Sequence, residues 1–112
     1  MVAVGPPRVK GCCHAIPEVL PEGGAQSLAV RFSALADPTR VQMLHSLRLA
    51  EEPICVCDFT AAFDLGQPTI SHHLAKLRDA GFISSFRRGI WTFYQLDPDM
   101  ASEARALLDL IP

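Results

Sequence analysis

The feature that most constrains the fold is a short segment, Ile54 to Phe63, that runs into Asp64-Leu65-Gly66 and is followed at once by a second helical stretch opening at Gln67-Pro68. Asp and Gly together interrupt a regular element and favour a tight turn. In the second stretch Ile70, Leu74 and Leu77 fall at i, i+4 and i+7, which puts them on the inward face of a helix running to about Ala80. Thr69, His72 and Lys76 fall on its opposite face, and Gly81 ends it. Two short helices about a turn are the raw material of a helix-turn-helix.

The flanking segments agree with this. Residues 1–24 carry Gly5, Pro6, Pro7, Gly11, Pro17, Pro21, Gly23 and Gly24, so they read as an irregular arm. From Ala25, Leu28, Phe32 and Leu35 recur at helical spacing until Asp37-Pro38. Asp37 can cap a second helix with Pro38 in its first turn, and Val41, Leu44 and Leu47 form its buried stripe. Beyond Gly81, Phe82 to Phe86 and Ile90 to Leu96 are β-branched and aromatic runs joined by Arg87-Arg88-Gly89, the signature of a hairpin with a basic tip. Asp97-Pro98 repeats the cap-plus-proline pattern, and Met100, Ala104, Leu107, Leu108 and Ile111 make an apolar stripe on a terminal helix. The order predicts a mainly α fold with a small β-hairpin, a winged helix-turn-helix over 25–112 preceded by the 1–24 arm. A stripe with no later segment to cover it predicts a homodimer through the first and last helices.

Composition bounds the function. The chain has 112 residues, of which 49% are hydrophobic and 20% charged, fitting one domain with apolar surface to spare. No stretch reaches the ~18 to 20 apolar residues of a membrane span, and the N-terminus lacks the apolar run of a secretory signal, so a cytoplasmic location is expected. The formal charge is −2, but between Gln67 and Trp91 Lys76, Arg78, Arg87 and Arg88 face only Asp79, a local excess of three positive charges. No Ser-His-Asp, paired-carboxylate or phosphate-loop constellation points to an enzyme.

The turn and the basic hairpin predict that the helix from Gln67 enters the major groove of double-stranded DNA, about 12 Å wide, with Gln67, Thr69, Ser71, His72 and Lys76 facing bases or phosphates. Arg87 and Arg88 would touch backbone or the minor groove. His73 falls toward the buried side and reads as a packing residue, and Trp91, Phe93 and Tyr94 as packing for the ribbon.

Four cysteines occur as Cys12-Cys13 and Cys55-x-Cys57. In a reducing compartment such pairs indicate a metal or redox site rather than disulfides. Thiolates select soft ions, leaving As(III), antimonite, Cd(II), Pb(II), Zn(II) or Cu(I). Adjacent Cys12 and Cys13 suit a pyramidal trivalent ion that needs one more thiolate. On a regular helix Cys55 and Cys57 point to different sides, so either the first turn is irregular or one of them completes the site. A position at a helix start would lower a thiol pKa.

Four stretches carry a family resemblance: Leu35-Ala-Asp-Pro-Thr-Arg40, Ile54-Cys-Val-Cys-Asp58, Gln67-Pro-Thr-Ile-Ser-His-His-Leu74 and Arg88-Gly-Ile-Trp-Thr-Phe-Tyr94. In this order and spacing the chain resembles the ArsR/SmtB family of metal-responsive winged-helix repressors from about Leu28 to Leu96, most of all its arsenic-responsive branch. The resemblance implies a homodimer that leaves its operator when it binds a toxic metal ion, the arm of one subunit meeting the short helix of the other. Cys12, Cys13 and Cys55 are then the expected ligands, with Cys57 an alternate or fourth. A cadmium, lead or zinc sensor using all four cysteines and a thiol redox switch are the alternatives. Gly66 stands where the family commonly has serine, and Met100 to Pro112 contains no histidine, so the terminal-helix zinc site of some members is not expected.

Overall fold

The computed structural model describes residues 16–112. Five helices and three strands follow one another as α1 (Gly24–Leu35), α2 (Pro38–Leu49), β1 (Ile54–Cys55), α3 (Val56–Phe63), α4 (Gln67–Asp79), β2 (Ile83–Arg88), β3 (Trp91–Leu96) and α5 (Ser102–Leu108). The strands form one antiparallel sheet in the order β1-β3-β2.

Each boundary has a local cause. Asp37 is extended and its carboxylate accepts the Arg40 N–H at 3.0 Å, capping α2, while Pro38 fills a first-turn position whose N–H would have no partner. That N–H holds the Asp37 carboxyl below its ordinary pKa, helped by the Arg40 guanidinium. Helix α4 stops in a left-handed Gly81, φ 84°, with Phe82 N–H donating to Leu77 O and Gly81 N–H to Arg78 O, the paired bonds of a Schellman cap.

The core gathers Met43, Leu44 and Leu47 of α2, Phe59 of α3, Ile70, Leu74 and Leu77 of α4, and Ile83 and Tyr94 of the ribbon. Tyr94 meets Phe59 edge-on at 6.4 Å, so the hairpin is anchored directly on α3.

The structure corrects the sequence expectations in four places. The segment from Ile54 does not begin as a helix, because Ile54 and Cys55 pair with Tyr94 and Phe93 before α3 starts at Val56. Arg87 and Arg88 do not form the hairpin tip; they close β2, opposite Thr92 and Trp91, and a two-residue turn at Gly89-Ile90 follows, with Gly89 at φ 66°. Asp97-Pro98 starts a turn, not a helix. The Asp97 N–H is taken by Phe82 O and Met100 N–H bonds Asp97 O, so α5 opens only at Ser102 with Ala101 as its cap.

The fourth correction concerns the apolar stripes. Ala104, Leu108 and Ile111 are buried in the subunit's own core and Met100 and Leu107 are half-buried against it, so most of the α5 stripe is covered within the subunit. The uncovered apolar surface lies elsewhere. Phe32 and Val30 of α1 are 54% and 51% exposed, Ile16, Val19 and Leu20 before α1 are exposed, and so is Leu110 after α5. On α1 only Ala34 is fully buried; of the expected stripe Leu28 and Leu35 are half-buried and Phe32 is exposed.

Candidate DNA-reading face and thiol site

Helix α3 packs on α4, and the turn between them bends through Asp64, the one non-glycine residue with positive φ (52°) among those described. Gly66 caps α4 through its carbonyl alone, which accepts the Ile70 N–H at 3.1 Å, so no side chain crowds the start of the helix. Gln67, Thr69, His72 and Lys76 are exposed, while Ser71 is half-buried. The inward side of α4 is closed by Ile70, Leu74 and Leu77, none of which is exposed. Arg87 and Arg88 are exposed at the end of β2. Arg88 lies over a stacked Phe86–Phe93 pair, its guanidinium carbon 5.6 and 5.8 Å from the two ring centroids, which are themselves 5.6 Å apart. A cation held on two rings keeps its charge while losing side-chain freedom.

Of the aromatic residues expected to pack, Tyr94 is buried in the core, while Phe93 stacks on the outer face of the ribbon. Trp91 is 49% exposed. His73 is the packing histidine its position predicts, with a side chain 14% exposed and Nδ1 3.1 Å from Arg40 Nη1.

The two thiols of the Cys-Val-Cys segment meet. Cys55 Sγ and Cys57 Sγ are 3.0 Å apart. Cys55 is the last residue of β1, with extended backbone (φ −72°, ψ 146°), and Cys57 lies in the first turn of α3. The expectation that helical spacing separates the two therefore fails, because only one of them is on the helix. Cys55 is buried and Cys57 exposed, so the pair is reached from solvent through Cys57. The thiol of Cys57 is shifted up rather than down. Its hydrogen bond with Cys55 is the largest cause, followed by loss of solvation and the nearby charges of Cys55 and Asp58.

Among the described residues no group of three or more His, Cys, Asp or Glu side chains stands ready to hold a metal ion. Cys12 and Cys13 lie outside the described residues. The donors that are described, two thiols at van der Waals contact or closer, fit one edge of a soft ion's coordination shell and leave the rest to other ligands.

Cys57 also borders α4. A cleft of about 470 Å³ is lined by Val56, Cys57, Thr60, Gln67, Trp91 and Thr92 among others, so the exposed thiol, the first residue of α4 and the turn end of the hairpin share one hollow. Sequence reading set Trp91 aside as packing, and no periodicity in the chain signals that the ribbon folds over the start of α4.

Two helices about a turn, an uncrowded helix face and a basic two-stranded ribbon define a winged helix-turn-helix. Residues 37–85 match the family described as bacterial regulatory protein, arsR family. The chain is 45% identical over 78 residues to the arsenic resistance transcriptional regulator ArsR1 of Pseudomonas putida, a stretch that is 69% of this chain but only 59% of that relative. It is 35% identical over 79 residues to ArsR2 of the same organism, covering 70% of this chain and 68% of the relative. NolR from Sinorhizobium fredii has the same fold, with a TM-score of 0.67 and 27% identity over 85% of this chain and 92% of that one. The chain belongs to the arsR family of bacterial regulatory proteins. These relatives are regulators and not enzymes, in line with the sequence.

Proposed function

We propose that the chain is a homodimeric transcriptional repressor that binds operator DNA and leaves it when a thiophilic ion, As(III) or antimonite, binds its cysteines. The observation that carries this reading is the 3.0 Å approach of Cys55 and Cys57, whose exposed member borders the same cleft as Gln67. An ion held there acts on the residues immediately before the recognition helix. Cys12 and Cys13 supply two thiolates from the arm and Cys55 the third, with Cys57 an alternate or fourth ligand; the choice of As(III) rests on the relatives named for arsenic resistance.

The DNA contacts follow from exposure and chemistry. Gln67 offers an amide for bidentate pairing with adenine, Thr69, Ser71 and His72 bond bases or phosphates, and Lys76 neutralises phosphate. Arg87 and Arg88 hold the backbone beside the wing. The dimer forms through α1, whose exposed Val30 and Phe32 need cover. No described helix is long and apolar enough to cross a membrane, and the protein acts in the cytoplasm, where its DNA is.

Release requires only that the ion prefer the dimer geometry that fits DNA poorly. The test is operator affinity of the full chain with and without arsenite: a loss of tenfold or more supports the reading, and unchanged affinity rejects it.

The convergence of both Cys55 and Cys57 also favours a second reading, a four-thiolate site for Cd(II), Pb(II) or Zn(II) that uses all four cysteines. Release by these ions and not by arsenite selects it. A thiol redox switch predicts release by peroxide in metal-free buffer.

A further inference from the structure

The described side chain that bonds the most separate pieces of backbone and side chain is Arg40, which takes no part in the site above. From α2 its Nε donates to Ala34 O at 2.8 Å and its Nη2 to Ser33 O at 3.2 Å, both in the last turn of α1. Its Nη1 donates to His73 Nδ1 of α4 at 3.1 Å. Its backbone N–H is held by Asp37, whose Oδ2 is 3.8 Å from the same His73 nitrogen. One guanidinium therefore ties the end of α1 to the middle of α4.

Three features make this tie more than a surface contact. Ala34 O is among the carbonyls a helix end leaves without a partner, Ser33 O also accepts the Ala36 N–H at 3.2 Å, and a cation there is favoured by the helix dipole. The guanidinium is a planar fork that bonds in several fixed directions at once, which an ammonium cannot do. Arginine has no acceptor, so in this contact the guanidinium donates and His73 Nδ1 accepts. Around that imidazole stand Arg40, Asp37 and, on its own helix, His72, whose ring is 6.2 Å away.

His73 and His72 are consecutive, about 100° apart around α4. His73 points in, to Arg40, and His72 points out. Holding His73 sets the rotation of α4 about its axis, and so the direction in which Thr69, His72 and Lys76 face. Because the other end of the tie is α1, it also fixes that rotation against the helix on which the dimer is proposed to form.

We infer that Arg40 and His73 are positioning residues for DNA reading: they lock the recognition helix to the interface helix, and operator affinity depends on them although neither faces the DNA. This rests on the proposed DNA-binding dimer. The pair would be tested in the full-length chain by measuring affinity for an operator fragment taken from upstream of its own gene, with an unrelated duplex as the non-specific reference. The proteins are wild type, Arg40→Lys, His73→Leu, His73→Asn and the double variant Arg40→Lys/His73→Leu.

If wild type shows no preference for the operator fragment, the DNA-binding reading fails and the positioning role falls with it. If wild type binds, Arg40→Lys and His73→Leu should each weaken operator affinity about tenfold, a size usual for coupling between sites. Binding to the unrelated duplex and the dimer fraction should stay unchanged, since neither residue touches phosphate. His73→Asn keeps an acceptor near the Nδ1 position and should restore most of the affinity. The double variant should lose little more than the worse single one, as for two ends of one contact. Wild-type operator affinity in folded Arg40→Lys and His73→Leu dimers, or penalties that simply add, would overturn the inference.

Discussion

Cys55 and Cys57 bring their sulfur atoms to 3.0 Å although a single residue separates them, because the chain changes from strand to helix between them. Two residues on one helix would diverge by about 200°. Here β1, held against Phe93, aims the first thiol, and the first turn of α3 aims the second. A two-residue strand thus assembles half of the proposed ion site.

Both thiols should matter, and unequally for access. Cys55→Ser should abolish or sharply weaken arsenite-driven release and Cys57→Ser should weaken it less, both leaving metal-free operator affinity within about twofold, since neither cysteine is assigned a DNA contact. Anisotropy titrations with and without arsenite check this. Normal release from Cys57→Ser would limit the described ligand to Cys55.

Lys76 is assigned to phosphate. Lys76→Ala should weaken binding to all sequences alike and reduce the slope of log affinity against log salt by about one, as expected when one phosphate contact is lost. A change in sequence preference with an unchanged slope would move Lys76 from phosphate to a base.

The stacked rings hold Arg88 in place. Phe93→Leu, which keeps the apolar bulk and removes one ring, should weaken operator binding several-fold, by an amount of order the ~0.5–1 kcal/mol of an exposed cation–π contact. Combining it with Arg88→Ala should add nothing to the loss from Arg88→Ala alone. Titrating the three variants against one operator reads the coupling directly.

The cap of α2 titrates. The carboxyl of Asp37 is held low by the Arg40 N–H, so it stabilises the fold above its unfolded value near 3.8 and the stabilisation is lost as pH falls through the lower folded value. Asp37→Asn preserves an acceptor for the cap but not the charge. It should be less stable than wild type at pH 7, and the difference should close as pH is lowered below about 4. Urea denaturation midpoints across pH check it; a gap that persists at low pH would show that the charge is not the source.

Leu74 has no exposed surface and sits on the inward face of α4. Leu74→Ala should cost about 2–5 kcal/mol in denaturant unfolding, the range for a buried leucine truncated to alanine. A cost under 1 kcal/mol would mean that this helix is not anchored as described.

Much of the fold is legible in the chain because its signals are local. Ile70, Leu74 and Leu77 repeat at helical spacing and all three are buried; Asp37-Pro38 caps a helix; Gly81 and Gly89 adopt the positive φ their turns require. What the chain hides depends on distant partners. Strand β1 is two residues long, too short for alternation to register, and exists because Cys55 lies opposite Phe93. Asp97-Pro98 reads like Asp37-Pro38, yet the Asp97 N–H is claimed by Phe82, and the helix is delayed. The α5 stripe looks the same in sequence whether a partner or its own core covers it, and here Ala104 and Leu108 pack inward. Of the site, the residue types and the exposed face of α4 are legible, and the meeting of the two thiols is not. The pairing of Arg40 with His73 spans α2 and α4 and leaves no spacing by which to find it.

The central claim is that sulfurs from separate parts of the chain converge on one ion. The most direct measurement is the number of sulfur atoms bound to arsenic in the loaded full-length protein, by X-ray absorption, for wild type and for Cys12→Ser/Cys13→Ser. The account predicts three sulfurs per ion in wild type, fewer in the variant, and loss of release in that variant. Three sulfurs and normal release without Cys12 and Cys13 would contradict it.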